Sequence, residues 1–144
     1  MTQEEKQLLL KDISARLLYK VKCRITKKGV VRELKPMDNG INIPVNQVCD
    51  ITLKKTLNTD IINDFDNDNI VLKPYLRPMS SMTEEEKQWS RWYQQDAKSD
   101  NFMLYMSRYV EWLDSNHFDW RTDGNGKTLI EKGLALEAPE GMYA

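Results

Sequence analysis

Toward the end of the sequence, Asn125-Gly126-Lys127-Thr128 matches the last part of a phosphate-binding P-loop. A P-loop also needs a glycine five positions before Gly126 and a buried strand in front of it. Arg121 occupies that earlier position, and the segment 118–121 is short and polar. The pattern therefore favours a solvated turn over a nucleotide site.

A second group consists of aspartates at alternate positions. Asp64, Asp66 and Asp68 have the 1, 3, 5 spacing of a calcium-binding loop. That loop requires glycine at its sixth position and glutamate at its twelfth, where this chain has Asn69 and Tyr75. The segment 59–68 could be one helical turn or an acidic, solvated loop, and we predict no metal site.

The chain has one histidine, His117, which could serve as a base or a metal ligand. No pair of cysteines or acids lies at zinc-ligand spacing to join it, and although Asp119 is nearby, no serine or cysteine is visibly coupled to it. Because it follows a predicted helix, we interpret it as a helix-terminal residue favoured by the helix dipole. No catalytic residue and no cofactor are predicted, although an active site made only of carboxylates stays open as an alternative.

A basic β-ribbon is predicted over residues 20–35, where cations outnumber acids. Period-2 geometry places the first three cations on one face of a strand, where they could contact nucleic-acid phosphates. Because the net charge is −1, the favoured interpretation is a solvated face that blunts a sheet edge. The candidate nucleic-acid contacts are Lys20, Lys22, Arg24, Lys27, Lys28 and Arg32.

Three aromatic residues, Trp89, Trp92 and Tyr93, share one face of a predicted helix at i, i+3, i+4 spacing. Such a stripe is typical of a core, which is the favoured interpretation. Tryptophan and tyrosine are also enriched at protein interfaces. The alternative is therefore a surface for a protein partner or for a second copy of this chain, which would make a homo-oligomer.

Composition limits the class of protein. With 144 residues, 40% hydrophobic and 30% charged, the sequence predicts one globular domain, 1–144. No apolar run is long enough to span a membrane, and 1–10 lacks the features of a secretory signal, so we expect a cytoplasmic protein. Cys23 and Cys49 are expected to be reduced and partly buried, with a bridge between adjacent strands as the less favoured alternative.

The elements that position these residues follow from hydrophobic periodicity and caps. Capping boxes at Thr2–Glu5 and Thr83–Glu86 predict helix starts, and a stripe over 102–113 predicts a third helix. Alternating or apolar runs predict strands at 21–25, 30–34, 48–53 and 70–76, the last leaving its sheet or lying at an edge because of Pro74. The predicted fold class is α+β: an N-terminal helix, a small antiparallel sheet of about four strands, then two to three helices.

The segment 73–86, KPYLRPMSSMTEEE, resembles a stretch shared by a family of small uncharacterised proteins of gut Bacteroidales genomes and their phages and prophages. The opening segment 1–12 and the segments 116–121 and 129–143 are similar to the same family. The resemblance covers less than half of the chain. It implies a cytoplasmic, mobile-element setting and contributes no site residues.

Together these observations predict a small non-enzymatic protein that binds another macromolecule, with an unknown protein as the favoured partner. Nucleic acid bound by the basic β-ribbon is the alternative. No membrane partner is expected.

Overall fold

The structure, a computed structural model, describes residues 1–27, 47–50, 59–67, 70–96 and 102–143. Within these ranges the chain forms an α+β fold, as predicted. The helices are α1 (Gln3–Arg16), α2 (Thr59–Asp66), α3 (Glu84–Asp96) and α4 (Phe102–Ser115), and the strands are β1 (Lys22–Lys27), β2 (Gln47–Asp50), β3 (Ile70–Pro78), β4 (Phe118–Asp119) and β5 (Leu136–Glu137). The strand order is β2-β1-β3-β4, and β5 also pairs with β3.

The chain divides into two compact units, Met1–Tyr75 and Leu76–Ala144, and the boundary falls inside β3. The single domain expected over 1–144 stays a prediction. None of the helices in the described ranges combines the length and the apolarity needed to cross a membrane.

The first unit contains α1, α2 and an antiparallel sheet of β2, β1 and the first part of β3. Helix α1 begins where the Thr2 hydroxyl accepts a hydrogen bond from the Glu5 amide at 3.1 Å. It ends at Arg16, and a 3₁₀ turn at Leu17–Tyr19 follows. The fully buried apolar side chains of this unit belong to α1, to β1 and the residue before it, to α2 and to β3: Leu9, Ile13, Val21, Cys23, Ile25, Phe65 and Leu72.

Strand β1 shows the predicted alternation, because Val21, Cys23 and Ile25 are buried and the side chains between them are more exposed. It pairs with β2 on one side and β3 on the other, so it is not the sheet edge that the sequence suggested. The β1–β3 ladder ends at Pro74, which cannot donate to it, but β3 itself continues to Pro78. The predicted strand 30–34 and the last residues of the predicted strand 48–53 lie outside the described residues.

The second unit contains the α3–α4 pair, the end of β3, and the short strands β4 and β5. β4 pairs with β3 in parallel, so the sheet is mixed rather than wholly antiparallel. Tyr109, Leu113 and Phe118 form its buried core cluster, in line with the stripe predicted for α4. Met82, Tyr93, Trp112 and Trp120 cover this cluster as half-buried neighbours.

Candidate functional site

The P-loop-like residues form a turn organised by an aspartate. The Asp123 carboxylate accepts hydrogen bonds from the amides of Asn125 and Lys127 at 2.8 and 2.9 Å, and from Lys132 Nζ at 2.8 Å. These donors lower the pKa of Asp123 to about 2, with the Lys132 bond as the largest cause. The amides that a P-loop would offer to phosphate are directed at the chain's own carboxylate, which agrees with a solvated turn.

Of the two structures that the sequence allowed for the calcium-like aspartates, a helical turn or a loop, the helix is the one formed. Asp64 and Asp66 belong to helix α2 rather than to a loop, and Asp68 lies outside the described residues. Side chains two residues apart on a helix are separated by about 200° of rotation around the helix axis. They therefore lie on opposite faces and cannot both bind one cation, as they do in a calcium loop. Within the described ranges, no group of three histidine, cysteine or acidic side chains is arranged to hold a metal ion.

His117 lies in the turn between α4 and β4, with a left-handed backbone φ of 61°. Its side chain is buried, and its ring stacks on Tyr143 with centroids 3.7 Å apart. The His117 amide donates to the Asp114 carbonyl at 3.0 Å, and its carbonyl accepts from the Arg77 amide at 2.8 Å. His117 therefore lies just past the end of α4, where a helix-terminal residue was predicted, and it is buried where the chain turns into β4.

The basic β-ribbon is described only in its first part. Lys22 and Arg24 lie in β1 on the face opposite Cys23, and Arg24 is exposed. Lys20 precedes the strand in a left-handed conformation with φ 53°, so the strand-face argument does not extend to it. The backbone of Lys27 ends β1, and Lys28 and Arg32 lie outside the described residues.

The aromatic residues of α3 form a surface feature that we call the aromatic ridge: Trp89, Trp92, Tyr93 and, from α4, Tyr105. Trp89 and Trp92 are 47% and 43% exposed, so their predicted place in the core is wrong. The rings of Trp89 and Trp92 are in edge-to-face contact, with centroids 5.8 Å apart and planes at 85°. The rings of Trp92 and Tyr105 are arranged in the same way, with centroids 6.2 Å apart and planes at 89°. Tyr93 alone follows the prediction, since it is half-buried against the core cluster.

Helix α3 is held to α4 by polar and aromatic contacts beneath the ridge. The hydroxyls of Ser90 and Tyr109 are 2.7 Å apart and buried, and Gln94 Nε2 donates to the Tyr109 hydroxyl at 3.1 Å. The Tyr93 ring lies 5.8 Å from Tyr109 and 5.9 Å from Trp112. These contacts fix the helix that presents the exposed tryptophans.

The joint between β3 and α3, the turn at residues 79–83, is built around Arg77, a residue that no sequence motif marked. Its guanidinium donates to both carboxylate oxygens of Glu86 at 2.9 and 2.7 Å, and lies 4.3 Å from the Phe118 ring centroid. Glu86 also completes the predicted capping box, accepting from the Thr83 amide at 3.0 Å, while its own amide donates to the Thr83 hydroxyl at 3.2 Å. The Arg77 hydrogen bond lowers the pKa of Glu86. The sequence predicted the capping box of Thr83 and Glu86, but it did not predict that Arg77 also binds Glu86.

A cavity of about 500 Å³ lies beside this joint, and we call it the tail cavity. One wall is formed by Arg77 and Pro78 at the end of β3 with the turn into α3, and the other by residues 137–143. The amide of Ala138 donates to the Leu76 carbonyl at 2.7 Å, which anchors the second wall. That wall turns back at Gly141, whose φ of 82° favours glycine.

Two acidic residues, Glu137 and Glu140, line the tail cavity, which makes it the place to look for the alternative active site made only of carboxylates. Both side chains are exposed. That alternative stays a prediction. Comparison with protein-family models, with curated proteins and with solved structures found no match to this chain.

Proposed function

We propose that this chain is a small non-enzymatic protein that binds another protein through the aromatic ridge. The observation that carries the proposal is the exposure of Trp89 and Trp92, at 47% and 43%, on a helix held in place by its neighbour. Large aromatic side chains contribute much of the binding energy at protein interfaces. The resemblance described above suggests a cytoplasmic setting in a phage or another mobile element.

The rigidity of the ridge supports the same proposal. The edge-to-face contact of Trp89 with Trp92, at 5.8 Å, limits the rotamers of both rings before any partner arrives. The bonds from Ser90 and Gln94 to Tyr109 hold the helix below them. Binding to such a surface loses less conformational entropy than binding to mobile side chains.

The test compares partner capture by the wild-type chain, by a W89A/W92A double variant, and by a Leu18→Ala control. Leu18 is 89% exposed and lies in the other unit, so its replacement removes exposed apolar surface without changing the ridge. We expect the control to retain the captured partner and the double variant to lose it. With the purified partner, W92A should raise the Kd about 30-fold, which corresponds to a hot spot of about 2 kcal/mol.

A Kd that W92A changes by less than twofold would contradict the proposal. Turnover of a generic hydrolase substrate, lost on a single substitution, would contradict the non-enzymatic assignment. If the partner is a second copy of this chain, sedimentation velocity will show a dimer that the double variant lacks.

Nucleic-acid binding by the basic β-ribbon is the second candidate, and the alternation in β1 favours it by placing Lys22 and Arg24 on one face. Electrostatic binding to phosphates weakens with salt, and each cation removed lowers the log–log slope by about one. The assay titrates DNA and RNA, each single-stranded and duplex, against wild type, Arg24→Gln, and Lys11→Gln as an exposed control on α1. Absence of binding at low salt excludes this candidate.

A further inference from the structure

The turn that carries the P-loop-like residues contains a chemically labile sequence, Asn125-Gly126. Asparagine is one of the thermolabile residues, because the backbone nitrogen of the next residue can attack its side-chain amide carbon. Glycine has no Cβ, so an asparagine followed by glycine meets the least steric hindrance to that attack. The proposed binding function makes no use of this sequence.

The structure leaves the reacting groups of Asn125 and Gly126 open to solvent. Both residues are exposed, and a Cβ added at Gly126 would meet nothing within 4 Å. Among the described residues, the Asn125 side-chain amide has no hydrogen-bond partner, since the bond of Asn125 to Asp123 comes from its backbone amide. No described group therefore shields the side-chain amide from attack or from water.

The hydrogen bonds of the turn oppose the reaction. The Gly126 amide donates to the Asp123 carbonyl at 3.1 Å, and the Asp123 carboxylate accepts from the amides of Asn125 and Lys127 at 2.8 and 2.9 Å. The Gly126 nitrogen must lose its proton and approach the Asn125 side chain, so its bond to Asp123 has to open first. Opening one hydrogen bond of ordinary strength slows the reaction about fivefold.

We propose that Asn125 is a modification site, where spontaneous deamidation gives aspartate and isoaspartate at a rate set by the turn around Asp123. The Gly126 nitrogen loses its proton to hydroxide and forms a bond to Asn125 Cγ. The Cγ–Nδ2 bond breaks, and the leaving nitrogen takes a proton from water and departs as ammonia. Water then opens the cyclic imide: cleavage of its N–Cγ bond gives aspartate, and cleavage of its bond to the main-chain carbonyl carbon gives isoaspartate.

The modification changes the turn in which it occurs. Either product places a carboxylate two residues from Asp123, whose own carboxylate is held by Lys132 Nζ at 2.8 Å. Isoaspartate also adds a carbon to the main chain between the amides of Asn125 and Lys127, which both donate to Asp123. Deamidation therefore alters both the charge of the turn and the path of its backbone.

The test incubates the full chain in mildly alkaline buffer, native and in guanidinium chloride, and follows the tryptic peptide 122–127 by mass spectrometry. Replacement of the amide by a carboxyl group changes the mass, whereas isomerisation of Asp123 does not. We expect Asn125 to convert in the native chain about fivefold more slowly than in the denatured chain. The rate should rise with hydroxide concentration, because the attacking nitrogen must be deprotonated.

Two asparagines of the same chain serve as references. Asn39 is also followed by glycine, so in guanidinium chloride it should convert as fast as Asn125. Asn116 is followed by histidine, and its side chain donates to the Trp112 carbonyl at 2.9 Å, so it should stay intact in the native chain. If native Asn125 survives as long as native Asn116, the modification site is refuted.

A variant tests whether the turn sets the rate. Asp123→Ala removes the acceptor of two turn amides, so the native rate should rise, up to the fivefold limit given by the denatured chain. Glu4→Ala, which removes an exposed acid from α1, should leave the rate unchanged. Equal native and denatured rates in the wild-type chain, or a native rate that Asp123→Ala does not raise, would overturn the role of the turn.

Discussion

Breaking the ion pair of Arg77 and Glu86 is expected to destabilise the joint between β3 and α3. The perturbation is a double-mutant cycle with Arg77→Met and Glu86→Gln. Methionine keeps an apolar side chain over Phe118, and glutamine keeps an acceptor for the Thr83 amide. The cycle therefore isolates the charge pair from the packing and from the helix cap.

The expected coupling energy follows from the geometry and the burial of the Arg77–Glu86 pair. The contact is bidentate at 2.7 and 2.9 Å, and the Arg77 and Glu86 side chains are 24% and 17% exposed. Exposed pairs contribute about 0.2–1 kcal/mol, whereas breaking a buried pair costs about 3–5 kcal/mol. Since this pair lies between those cases, we expect a coupling energy of about 1.5 kcal/mol at pH 7.

The assay is urea denaturation followed by tryptophan fluorescence. Trp89, Trp92, Trp112 and Trp120, which are the chain's 4 tryptophans, all belong to the second unit, so the signal reports on the unit that contains the pair. The control cycle uses Lys87 and Glu84, a pair at 3.2 Å whose side chains are 48% and 84% exposed. Its coupling should stay below about 0.5 kcal/mol.

The pH dependence gives an independent check. Because Arg77 lowers the pKa of Glu86 below its ordinary value of 4.5, the ionised carboxylate stabilises the fold above that value. The contribution is lost as the pH falls through the lowered pKa of the folded state. A coupling no larger than that of the Lys87–Glu84 control, or one that is unchanged in strong acid, would refute the reasoning.

Three further predictions concern other parts of the chain. Asp12→Asn removes the carboxylate that binds the fully buried Arg16 guanidinium at 3.0 Å, so urea denaturation followed by circular dichroism should show the unfolding free energy lowered by about 3 kcal/mol, and a lowering of less than about 1 kcal/mol would contradict it. An NMR titration should give Asp123 a pKa of about 2, which Lys132→Met should raise toward 3.8; no rise would exclude Lys132 as the main cause. Cys23, which is fully buried, should escape alkylation in the native protein and react after unfolding, as mass spectrometry can detect.

The sequence by itself determined the elements whose causes are local. Capping residues marked the starts of α1 and α3, and the apolar stripe of α4 and the alternation of β1 were readable because neighbouring positions share one backbone geometry. The α+β class followed from the order of these elements. For the segment of α2 the sequence left a helical turn and a loop open, because its local pattern fits both.

Only the tertiary structure decided which surfaces are covered. Helical spacing placed Trp89, Trp92 and Tyr93 on one side of α3, but α4 covers Tyr93 and leaves the tryptophans exposed. In the same way, Arg77 meets Glu86 across the turn between β3 and α3, and Tyr143 meets His117 from 26 residues further along the chain. Burial and ion pairing depend on residues that are distant in sequence, and periodicity carries no information about which distant residues meet.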